Sequence, residues 1–77
     1  MTFRRDGGFV RSERLLRIAR QIAIGFNQAK TVSVEQMNLW IQLNIGLTEK
    51  RAGEYIDTVV RAKGWVLRDG YISATET

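Results

Sequence analysis

The sequence predicts a mainly α-helical domain closed by a small β-hairpin. Three observations carry that expectation. Between Ser12 and Lys63, apolar residues recur at three- and four-residue steps in three separate runs. Ser33, Gly46-Leu47-Thr48 and Gly64 punctuate these runs with residue types that start and stop helices. After Gly64 the alternation changes to a period of two around Asp69-Gly70. That dipeptide is the strongest short-range hairpin signal, because a two-residue turn needs positive φ.

The elements follow in order. Residues 1–11 lack a period, contain Asp6-Gly7-Gly8 and read as a flexible basic arm, leaving 12–77 as the folded domain. Ser12 is the expected N-cap of a first helix running to about Asn27, with Leu15, Ile18, Ala19, Ile22, Ala23 and Phe26 as its apolar stripe. Lys30-Thr31-Val32 is a short extended link. Ser33 opens a second helix, because Ser33 and Gln36 have capping-box spacing and Val32 can staple onto Met37. That helix reaches about Asn44 and presents Val34, Met37, Ile41 and Ile45 to the core. Gly46 turns the chain and Thr48 caps a third helix, Glu49 to about Lys63, whose core stripe is Ala52, Ile56, Val59 and Val60. Lys50, Arg51, Glu54, Thr58 and Arg61 make its outer stripe, with Asp57 at the edge. Strands Trp65–Leu67 and Tyr71–Thr75 complete the chain. Leu67 is expected to oppose Ile72 and Trp65 to oppose Ala74, both pairs facing the core, with Arg68 and Tyr71 flanking the turn.

Composition narrows the function. With 77 residues the chain makes one domain, which buries only about 60–65% of its unfolded surface. It contains no Cys and no His, which removes disulfides, thiolate or imidazole metal sites and the usual nucleophile–base pairs. A non-enzyme without metal or cofactor is expected, and no small-molecule ligand is evident. No apolar run approaches the roughly 20 residues that span a bilayer. Arg4 and Arg5 are not followed by the apolar run of a signal peptide, so a cytoplasmic protein without membrane partners is expected. The charge is asymmetric. Residues 1–30 carry seven basic against two acidic side chains, and residues 31–77 carry five against six. An arginine-rich half points to a polyanionic partner.

The order is helix, short strand, helix, glycine turn, helix, hairpin. From Ile41 through Gly46, Leu47 and Ala52 to Tyr55 the chain resembles a helix-turn-helix, and with Gly64-Trp65 and the Asp69-Gly70 wing it resembles the winged helix-turn-helix family from about Ser12 to Thr75. The resemblance is one of fold, and it looks most similar to small prokaryotic, archaeal or viral regulators. It implies a transcriptional regulator that reads double-stranded DNA with the third helix in the major groove and the wing on adjacent backbone. Carried onto this sequence, the DNA-binding residues are Lys50, Arg51, Glu54, Tyr55, Thr58, Arg61 and Arg68, with arm contacts from Arg4 and Arg5. Arginine can bond guanine bidentately, and lysine or threonine can take phosphate oxygens. The alternative is a winged helix used for protein–protein contact in a larger assembly, which Glu54 and Asp57 on the outer face of the third helix favour.

Two features stand outside that scheme. Arg14, Arg17 and Arg20 form a stripe on the first helix, read either as a DNA-directed surface or as a solvated face with Glu13 pairing to Arg17. Ile24, Leu39, Trp40 and Leu43 fall off the apolar stripes. They are either core residues of a different helix phase or the interface of a homodimer; self-association is the preferred reading, since a two-fold operator suits a symmetric dimer.

Overall fold

The computed structural model describes residues 7–74, with side chains described from Arg11 onward. The elements are α1 (Gly7–Phe26), β1 (Thr31–Ser33), α2 (Val34–Asn44), α3 (Glu49–Lys63), β2 (Val66–Arg68) and β3 (Tyr71–Ser73). The three strands form one antiparallel sheet in the order β1-β3-β2. This is a mainly α architecture with a small hairpin, compatible with the winged-helix plan.

Local chemistry explains most boundaries. The Ser33 side chain accepts from the Gln36 amide at 3.2 Å and caps α2. Thr48 caps α3 in the same way, accepting from the Arg51 amide at 3.2 Å. Between them Gly46 takes φ 86°, and the Ile45 and Gly46 amides both donate to the Ile41 carbonyl. Gly64 ends α3 in the left-handed region at φ 74°; its amide donates to the Arg61 carbonyl and that of Trp65 to the Val60 carbonyl, a Schellman closure. Asp69 and Gly70 both have positive φ, as the two-residue turn requires.

The core joins all three helices to the central strand. Ile18 and Ile22 of α1, Ile41 of α2, Ile56 of α3 and Ile72 of β3 are wholly buried, with Ala19, Met37, Ala52, Tyr55, Val59 and Val60 around them. Each such isoleucine is worth about 1.5–3 kcal/mol of burial, so these five dominate a core of this size. Phe26 and Trp65 meet edge to face, with centroids 5.0 Å apart and planes at 88°, and tie the end of α1 to the start of the hairpin. Gly25 allows α1 to approach β1; a Cβ there would lie 2.7 Å from Val32 Cγ2.

The strand pairing agrees with the expected register, Leu67 opposite Ile72, and the Thr31–Ser33 link pairs with β3. Several expectations need correction. The first helix starts at Gly7, so Ser12 lies inside it and residues 7–11 are helical. No proline interrupts this stretch, and serine is tolerated inside a helix. Residues 1–6, with Arg4 and Arg5, lie outside the described residues, as does Thr75. Trp65 belongs to the helix closure, and β2 begins at Val66. Leu67 is exposed because β2 is the sheet edge, beyond the helices' cover, and Ala23 is exposed as well. Ile24, Leu39 and Leu43 are exposed, which removes a core role for these three. Trp40 is half-buried and packs on the core.

Candidate nucleic-acid interface

The third helix is held from below and displayed above. Ala52, Tyr55, Ile56, Val59 and Val60 lock its inner face. Asn38 Nδ2 donates to the Glu49 carbonyl at 3.1 Å, and Gln42 Nε2 donates to Asn38 Oδ1 at 2.7 Å, so α2 fixes the first residue of α3. A Cβ at Gly53 would lie 3.7 Å from Asn38 Nδ2, an ordinary contact. On the outer face Lys50, Arg51, Glu54 and Arg61 are exposed and Thr58 is half-buried.

Those outer side chains are mutually engaged. Arg61 pairs with Asp57 at 2.6 Å, one turn apart. Arg51 Nε lies 3.7 Å from Glu54 Oε1, a longer pair in which both side chains are more than half exposed. The Thr58 hydroxyl donates to the Glu54 carbonyl at 3.0 Å. Exposed pairs of this kind are worth little, typically about 0–1 kcal/mol, and leave the groups available to a partner.

Tyr55 is placed differently from the expectation that put it among the reading residues. Its ring is part of the core and the residue is 5% exposed. The Arg11 guanidinium stands over it at 5.7 Å from the centroid and that of Arg51 at 6.0 Å. Burial alone would raise the Tyr55 pKa; the positive charge of Arg14 and Arg51 outweighs it and holds the hydroxyl below its ordinary value. The structure therefore gathers two arginines of α1 with one of α3. Sequence reading noted Arg14 within the α1 stripe but not this junction, and it did not single out Arg11.

The hairpin projects little. Its two strands end at the Arg68–Tyr71 pair, and Tyr71 is also paired with Ser33 of β1. Arg68 is exposed beside the turn. The groove of about 690 Å³ between this turn, α2 and the start of α3 has three carboxylates as its charged lining, Glu35, Glu49 and Asp69. Its field is opposite in sign to the α1–α3 junction.

Two surfaces are apolar. Leu39 is 52% exposed and Leu43 85% exposed, one turn apart on α2. Ile24 is exposed on α1 and does not line the groove beside α2. A second apolar groove of about 330 Å³ runs between α1 and α3, lined by Leu15, Leu16, Ala19, Val59 and Ala62. Leu16, 62% exposed, was not singled out from the sequence; its position off the α1 stripe was the available signal. Among the described residues no helix is long and apolar enough to cross a membrane, and no acidic, His or Cys cluster has the makings of a metal site. No protein-family model matches the chain, and neither a curated protein nor a solved structure shows significant similarity to it.

Proposed function

We propose that this protein is a non-catalytic duplex-DNA-binding domain of a transcriptional regulator. The observation that carries this reading is the outer face of α3. It presents Lys50, Arg51 and Arg61 to solvent while its inner face is locked into the core and its first residue is fixed by Asn38. A rigid helix with exposed basic groups suits the major groove and its flanking phosphates, where arginine bonds guanine bidentately or takes phosphate oxygens. Arg68 at the hairpin adds a backbone contact, within the short reach that the three-stranded pairing leaves it. Duplex binding that weakens at least about tenfold between about 50 and 200 mM salt supports the reading, through counterion release from three or more phosphates. A selection from random duplexes then identifies the site. No duplex binding at low salt removes it.

The homodimer belongs to the same proposal. Leu39 and Leu43 are the exposed apolar pair that a second copy covers, and a two-fold dimer places two third helices on a palindromic site.

A second reading, a protein-contact module, is favoured by the apolar groove at Leu16 and by Glu54 and Asp57 on α3. An apolar partner interface would show a shallow salt dependence, in contrast to DNA.

A further inference from the structure

Arginines of α1 and α3 converge on one side chain, Tyr55. Arg11 and Arg51 both stand over the Tyr55 ring, at 5.7 and 6.0 Å. Arg14 and Arg51 also lower the pKa of the Tyr55 hydroxyl against the effect of burial. Two guanidinium groups from two elements thus share one buried aromatic platform, and Arg14, one turn along α1 from Arg11, adds its charge to the hydroxyl. Holding like charges together is unfavourable unless an anion joins them, and the carboxylate that pairs with Arg51, that of Glu54, does so at 3.7 Å from an exposed position.

We propose that Arg11, Arg14 and Arg51, gathered on Tyr55, form a binding site for one backbone phosphate of duplex DNA at the α1–α3 edge. The proposal rests on the DNA-binding reading above and deepens it. The chemistry is that of a phosphodiester: planar guanidinium forks match two phosphate oxygens. The Tyr55 O–H is a donor available to the anion. The cation–π contacts restrict the arginine side chains before the anion arrives, so less entropy is lost on binding. The electrostatics also select this edge, because the groove on the other side of α3 is lined by Glu35, Glu49 and Asp69 and repels phosphate. DNA on α3 is therefore anchored toward α1, and the stripe on the first helix has a use at its N-terminal end. Arg20, farther along α1, lies instead in a shallow groove with Lys63 and Trp65.

The test is the salt dependence of binding to a random-sequence duplex by fluorescence anisotropy, using the full chain. Arg14→Ala is expected to weaken binding about tenfold and to make the slope of log K against log salt shallower by about 0.9, the loss of one phosphate contact. Tyr55→Phe keeps the ring and is expected to weaken binding with the thermal midpoint nearly unchanged. Arg20→Ala should change the slope far less. Phenolate absorbance supplies an independent readout, since bound duplex places an anion beside the hydroxyl and should raise the Tyr55 pKa in the parent. A folded Arg14→Ala variant that binds like the parent overturns the site while leaving α3 as the reading element. Equal losses for Arg14→Ala and Arg20→Ala overturn it in favour of diffuse attraction. A parent that binds no duplex overturns the DNA reading and this site with it.

Discussion

The Val34 amide donates to the Gly70 carbonyl at 2.9 Å, so the first residue of α2 holds the turn of the hairpin. The wing is consequently part of the sheet and of the α2 entry, and its conformation is coupled to the core through Ile72. That coupling makes the turn glycine a stability determinant as well as a local one.

Gly70 has φ 81° and nothing within 4 Å of the position of a Cβ. Gly70→Ala should therefore cost about 1–2 kcal/mol through backbone strain alone. Gly53→Ala should have the opposite sign: it sits inside α3 with only an ordinary 3.7 Å contact to Asn38, and gains up to about 1 kcal/mol of helix propensity. Chemical denaturation of both variants checks this, and an unchanged Gly70→Ala midpoint would refute the strained turn.

Ile56 is 1% exposed at the centre of the helical core. Ile56→Ala should lose about 2–5 kcal/mol, comparable with the whole stability of a domain this small. Circular dichroism at room temperature should show a largely unfolded chain. A cooperative transition close to the parent's would mean that the core is not centred there.

Leu43 is exposed enough that Leu43→Glu should leave the fold intact. If Leu39 and Leu43 hold two copies together, sedimentation should find a parent dimer and a Leu43→Glu monomer. Burying a leucine is worth roughly 1.5–3 kcal/mol, so two copies of this pair have to exceed the cost of association. A parent that remains monomeric at high micromolar concentration ends the dimer proposal and the expectation of a palindromic site.

Asp57 pairs with Arg61 at 2.6 Å and places a negative charge on the outer edge of α3. Asp57→Asn releases the guanidinium and removes the repulsion, so duplex affinity should rise a few-fold at low salt and the gain should shrink as salt screens it. Arg61→Ala should weaken binding. Both variants binding like the parent would show that this end of α3 lies off the DNA.

The Tyr55 hydroxyl should ionise below its ordinary value of 10.0, because Arg14 and Arg51 outweigh the effect of burial. The folded-state pKa is depressed, so the extra stability appears as pH rises through that lowered value and is complete above the unfolded one; it is lost as pH falls back through the folded pKa. Over that alkaline window the parent should gain stability relative to Tyr55→Phe. Arg14→Ala should move the phenolate transition upward. A transition unaffected by Arg14→Ala would place that arginine away from the hydroxyl.

Much of this protein is local. The caps at Ser33 and Thr48, the left-handed Gly64, the Asp69-Gly70 turn and the Leu67–Ile72 register follow from side-chain and backbone preferences over a few residues, and the buried stripe of α3 follows from helical period. These features fit one another, which is why the architecture could be read before any contact was known. The outer stripe of α3 was legible for the same reason, whereas the burial of Tyr55, which the family resemblance put among the DNA contacts, was not, because a tyrosine between the two stripes can face either way. Only the tertiary structure decided that. Packing of α1 along α3 turned the ring inward and brought Arg11 and Arg14 to Arg51, residues about forty positions apart in the chain, and no periodicity encodes a crossing between helices. The same limit applies to Leu39 and Leu43: their helix is apolar nearly all round, and which side stays bare depends on where α3 and the sheet come to rest.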